Sequence, residues 1–98
     1  MPIKVVIPPS VEADIEAIGD HIAADNPRAA VATMERLRDR CLSLDHMPNR
    51  GAQYGDHYRF LVEGDYLIFY RVEEMAAMIV IIVAVVHGSR DLRTILKL

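Results

Sequence analysis

Cysteine occurs once in this chain, at Cys41, so no disulfide can form within it. Leu37 and Leu44 stand at helical spacing from Cys41 on one apolar stripe, which Arg40 beside it in sequence does not share. That predicts a buried sulfur packed as a small hydrophobe, not a nucleophile. Lysine occurs twice, at Lys4 and Lys97, both near the ends, and the net charge is −3 at pH 7. A protein that grips phosphates normally carries a basic excess. Here residues 1–49 hold five basic and eight acidic side chains and residues 50–98 six of each, so only a local basic cluster in the second half stays open. There is no Gly-rich phosphate loop and no Ser-His-Asp order. His21, His46 and His57 show no ligand spacing with Cys41 or with carboxylates, so neither a metal nor a cofactor is expected. The longest apolar run, Ala76 to Val86, falls well short of the about 20 residues a membrane span takes. Met1-Pro2-Ile3-Lys4 lacks the apolar run of a signal peptide. A cytoplasmic protein with no membrane contact is expected.

What is present is enough for a core. The apolar fraction is 52% and the charged fraction 26%, which excludes a disordered chain and fits one globular domain over residues 1–98. Ile3 to Ile7 is β-branched and closed by Pro8-Pro9, a first strand at or near a sheet edge. Ser10 is a candidate N-cap, with Glu12 and Asp14 where the helix dipole favours acids. Val11, Ile15, Ile18 and Ile22 then mark one buried helical face, ending near Ala24-Asp25. Asn26-Pro27 signals a second helix start. Ala30, Met34, Leu37, Cys41 and Leu44 repeat at spacings of four and three, and so short a connection predicts an antiparallel helical hairpin.

Pro48-Asn49-Arg50-Gly51 ends that helix and opens a polar loop to about Asp56. Past it the period becomes strand-like. Tyr58 to Val62 and Tyr66 to Val72 are strands about a tight Glu63-Gly64-Asp65 turn, and Glu73-Glu74 makes a further turn. Met78 to Val86, rich in Ile and Val, reads as a strand covered on both faces. Residues 90–96 add a short C-terminal helix or an extended tail. The expected fold is α+β: a two-helix hairpin on a mostly antiparallel four-stranded sheet, in the order β-α-α-β-β-β.

These segments resemble a known family in three places. Ala13-Asp14-Ile15-Glu16-Ala17-Ile18, with Ile22-Ala23-Ala24-Asp25-Asn26-Pro27, is similar to the first helix and inter-helix turn of ParE-type toxins of the RelE/ParE toxin–antitoxin superfamily. Tyr66-Leu67-Ile68-Phe69-Tyr70-Arg71-Val72 resembles that family's strongest internal motif. Val85-Val86-His87-Gly88-Ser89-Arg90-Asp91 resembles its closing strand and H-G-x-R-D turn. The resemblance implies a toxin that inhibits DNA gyrase without catalysis. It also implies neutralisation by a ParD-like antitoxin in a toxin2–antitoxin2 or higher complex, which meets operator DNA only through the antitoxin.

The superfamily also contains RelE-like ribosome-dependent messenger ribonucleases. Their chemistry needs cations over a phosphate and a proton carrier, for which Arg59, Arg71, His87 and Arg90 are the candidates. Against it stand the scarcity of lysine and the absence of tyrosine after Tyr70; a His87 that anchors the turn through a ring nitrogen is the plainer reading. A third possibility is a non-toxic binding module of the same fold. Arg90, Arg93 and Lys97 are candidates for target contact, although Arg90 and Asp91 could equally form a local ion pair. For the antitoxin, apolar strand residues Leu61, Leu67 and Phe69 are candidates, since side chains alternate and some must face away from the helices. Glu12 and Glu16 on the first helix are candidate partners for basic antitoxin side chains. Tyr54, Tyr58, Tyr66 and Tyr70 suit core packing or the antitoxin groove better than base stacking, because no lysines interleave them.

Overall fold

Strand β1 (Lys4–Val6) runs into Pro8, whose extended backbone precedes helix α1 (Pro9–Ala23) in a computed structural model that describes residues 3–89. The expected N-cap Ser10 lies inside α1: two prolines have already fixed the entry, and Pro8 accepts from the N–H groups of Val11 and Glu12 through its backbone carbonyl. Helix α2 (Pro27–Leu42) starts where the Asn-Pro pair predicts, with the Asn26 side chain accepting from the Ala29 N–H at 3.1 Å. Past Leu42 the chain makes two short 3-10 turns, Ser43–Asp45 and Pro48–Arg50. The Arg50 guanidinium donates to Ser43 through its carbonyl and hydroxyl oxygens, supplying partners at the end of α2 where no glycine cap exists.

Four more strands follow: β2 (Ala52–Tyr54), β3 (Tyr58–Glu63), β4 (Tyr66–Glu74) and β5 (Met78–His87). The sheet order is β1-β5-β4-β3-β2, antiparallel except for the parallel β1–β5 pair. The architecture is the expected α+β hairpin-on-sheet, with five strands in place of four. The extra strand, β2, lies inside what reads as a polar loop, and its three residues are too few to show alternation. Strand β4 also runs through Glu73-Glu74, where a turn was expected, because both residues find partners in β5 at Ile79 and Met78. The Gly64-Asp65 turn is as predicted, and Gly64 takes a left-handed φ of 58° that a side chain would resist.

One core fills the space between the hairpin and the sheet. Val11 and Ile15 of α1, with Leu37, Cys41 and Leu44 from α2 and the turn after it, meet Leu61, Ile68, Tyr70, Val80, Ile82 and Val85 of the sheet. Gly19 lets the two helices approach, since a Cβ there would stand 2.3 Å from the Met34 sulfur. A bulge in β5 leaves Val83 unpaired, Phe69 facing Ala84 and Tyr70 facing Ile82, so the inward alternation resumes beyond it. The anticipated C-terminal helix or tail lies outside the described residues.

Candidate functional site

Two surfaces concentrate the candidate residues: the sheet face turned away from the helices, and a cleft where α1 meets the end of β5.

Register assigns each strand residue to a face. Leu61 pairs with Ile68 and belongs to the helix-side core, 7% exposed, so it is not available to a second polypeptide. Leu67 and Phe69 lie on the opposite face, as the alternation requires. Phe69 is nonetheless fully buried, with the Tyr54 ring at 5.3 Å and the Phe60 ring at 5.5 Å. Its centre on that face is therefore packed by the chain's own aromatics. Of the three strand residues expected to meet an antitoxin, Leu67 alone keeps open surface. It stands in a cross-strand row of Val62, Leu67 and Val86, in which Val62 is 55% exposed. Val62 and Val86 were not singled out from sequence; once Leu61 is placed inward, strict alternation puts Val62 outward.

The tyrosines divide as their spacing suggests. Tyr66 and Tyr70 point toward the helices. The Tyr70 hydroxyl donates to the Pro48 carbonyl at 2.7 Å and accepts from the Gly51 N–H at 2.9 Å. Burial pushes this phenol above its ordinary value, partly offset by the Gly51 hydrogen bond and the Arg59 and Arg50 charges. Arg59 donates to the Gly51 carbonyl at 2.9 Å, so both side chains pin the Pro48–Gly51 turn that delivers β2 to the sheet edge.

Among the described residues, the nuclease candidates Arg59 and Arg71 are not brought together. Arg59 lies across from Tyr70 on the helix side, whereas Arg71 lies across from Ile81 on the open face and pairs with Glu73 at 3.1 Å. His87 ends β5, and its Nδ1 bonds the Ser89 hydroxyl at 2.8 Å and accepts from the Ser89 N–H at 3.2 Å, the turn-anchoring role expected of it. Arg90, Arg93 and Lys97 lie outside the described residues. On α1, Glu12 is engaged by Arg38 of α2 at 3.0 Å, and Glu16 is exposed.

The cleft, about 610 Å3, has Asp14, Ile18 and His21 on its helical wall and Tyr66, Val85 and His87 on its sheet wall. Burial raises the Asp14 carboxyl above its ordinary range, an effect reduced by a hydrogen bond from the Val85 backbone. The Tyr66 and His87 rings meet edge to face, 5.5 Å apart at 85°. Cys41 is buried, and burial together with the Glu12 charge pushes its thiol up to about 12, the inert state expected. Among the described residues no group of three or more His, Cys, Asp or Glu side chains could hold a metal ion, and no helix is long and apolar enough to cross a membrane.

Helical hairpin and mixed five-stranded sheet define a small α+β domain. The sequence matches the family described as the ParE toxin of the type II toxin-antitoxin system, parDE, over residues 5–92, and the chain belongs to that family. No match was found among curated proteins. Among solved structures, a chain of the chromosomal ParDE TA system from P. aeruginosa has the same fold. It superposes with a TM-score of 0.73 at 19% identity, covering 87% of this chain and 95% of that one.

Proposed function

We propose that this protein acts by binding: it inhibits DNA gyrase and is held inactive by a ParD-like antitoxin lying on the open sheet face. Family membership supports the toxin reading, and the neighbour's title, a ParDE system, supports an antitoxin partner. The observation that carries the non-catalytic part is the division of Arg59 and Arg71 between opposite faces, each with its own structural partner. Cleavage of RNA by its own 2′-OH needs cations and a proton carrier converging on one phosphate. Two arginines separated by the thickness of a sheet do not provide that.

The antitoxin surface follows from the open face. The Val62–Leu67–Val86 row is apolar, crosses three strands and remains partly exposed, which suits an antitoxin segment that folds on contact. Edge strands β1 and β2, three residues each, offer strand addition as a second element of the same contact. Two toxins with two antitoxins is the expected assembly, formed in the cytoplasm, with operator DNA reached through the antitoxin.

Induced expression without the antitoxin tests the target. Filamentous cells with DNA damage are expected. A rapid stop in translation with cleaved transcripts would favour the RelE-like ribonuclease, and unimpaired growth a non-toxic binding module. Val62→Asp should abolish co-purification with the product of the adjacent gene while leaving the melting temperature within a few degrees, since Val62 is half exposed.

A further inference from the structure

The cleft between α1 and the end of β5 has a composition that the open sheet face does not explain. Its helical wall belongs to a segment, Pro9–Ala23, that carries Glu12, Asp14, Glu16 and Asp20 and neither lysine nor arginine. Of those acids Asp14 alone lines the cleft, and Glu12 is taken by Arg38. Beside Asp14 lie the apolar groups of Ala17, Ile18 and Val85, and across from it stand the paired rings of Tyr66 and His87. A carboxylate, an aliphatic floor and an aromatic wall in one open cleft match the three parts of one side chain. Arginine offers a planar guanidinium for the carboxylate and for a ring face, on a methylene stem that covers apolar surface. Lysine would meet the charge but stack less well.

We infer that this cleft is the receptor for a single arginine side chain of the antitoxin, with Asp14 as its counter-ion and Tyr66 and His87 as its wall. The inference rests on the reading above that the partner is an antitoxin segment folding on contact, and it deepens that reading by fixing one residue of the segment. Burial raises the Asp14 carboxyl, a local cost that the attraction of an incoming cation offsets. The same contact would hold α1 to the end of β5.

The probe is N-acetyl-arginine-N-methylamide, titrated into the full chain while backbone amide signals of Ala17, Ile18, Val85 and His87 are followed by NMR. Saturable shifts at these positions are expected. Binding at least about tenfold weaker is expected for the citrulline counterpart, which lacks the charge, and for Asp14→Asn. Shifts absent with arginine, equal with citrulline, or unchanged in Asp14→Asn would overturn the inference. Arg90→Gln should bind the probe as the native chain does; binding gained only in that variant would mean that the chain's own arginine competes for the cleft, and would also overturn it. Against the antitoxin encoded beside the gene, Asp14→Asn should raise the dissociation constant about tenfold, and an unchanged constant would assign the cleft to some other ligand. Failure of the native chain to bind that antitoxin at all sinks the broader functional reading, a result distinct from each of these. An unchanged melting temperature or a higher one separates lost binding from lost fold.

Discussion

Replacing Tyr70 with phenylalanine removes one oxygen atom and, on the present account, loosens an entire edge of the sheet. The ring stays in the core against Leu37, Ile68 and Ile82. The hydroxyl is the only part lost, and with it the bonds to the Pro48 carbonyl at 2.7 Å and from the Gly51 N–H at 2.9 Å. Pro48 and Gly51 are both buried, so two backbone groups would stand without partners. Each such group costs about 1–3 kcal/mol, at the low end where a neighbouring segment can shift to admit water. Exposed Asn49 and Arg50 make some shift feasible, and Arg59 still holds the Gly51 carbonyl. The expected loss is therefore about 2–4 kcal/mol, a large part of the stability of a domain this size. With a urea slope near 1 kcal/mol/M, the unfolding midpoint should fall by about 2 M or more. Tyr66→Phe serves as the control, because its hydroxyl makes no hydrogen bond among the described residues. A Tyr70→Phe loss below about 0.5 kcal/mol, equal to the control, would refute the reasoning. So would unchanged amide-exchange protection in β2.

Other perturbations test other links. Gly51→Ala should destabilise by more than about 2 kcal/mol in the same urea titration, because its Cβ would stand 2.3 Å from the Tyr70 hydroxyl and 2.9 Å from the Phe60 carbonyl oxygen. Leu61→Ala should cost about 2–5 kcal/mol and Val62→Ala under about 1 kcal/mol, a contrast that reads the two sheet faces directly. Asp14→Asn should leave the isolated chain as stable at neutral pH or more so. Its folded pKa is raised, so the stability held with the proton on is complete below the ordinary carboxyl value and declines as pH rises through the folded value. Thermal melts from pH 3 upward should show that decline in the native chain and lose it in the variant. Cys41, with its thiol pushed up to about 12, should resist a disulfide reagent at pH 8 in native buffer and react at once past the urea midpoint.

Periodicity and punctuation were enough for the helices and the central strands, and the reasons are local. The Asn26-Pro27 cap, the four-and-three spacing through Ala30, Leu37 and Cys41, and the Gly64 turn are each decided by residues a few positions apart. Strand β2 was not legible because nothing in Ala52-Gln53-Tyr54 makes it a strand. It is placed by Tyr70 and Arg59, 19 and 8 residues away from Gly51 in sequence. The start of α1 was misplaced because Ser10 is a good cap by type, whereas the two prolines decide the entry by φ.

At the site, alternation required only that some of Leu61, Leu67 and Phe69 face away from the helices, and register puts Leu67 and Phe69 there. Their faces alone could not reveal that Leu61 points into the core or that Tyr54 and Phe60 close over Phe69. Which of two alternating sets is inward depends on register against β4, a long-range fact. The cleft was legible only in pieces. Asp14, Tyr66 and His87 are separated by most of the chain, and none has a motif spacing to the others.

The most direct trial of the account is methyl cross-saturation NMR on the chain, selectively labelled at Val, Leu and Ile, in complex with the product of the adjacent gene. Signals of Val62, Leu67 and Val86 should lose intensity on irradiation of the partner, while those of Leu37, Ile68 and Ile82, sealed beneath the helices, should keep theirs. A complex that forms yet leaves Val62 and Leu67 untouched would contradict the claim that the open sheet face is where this protein meets its antitoxin.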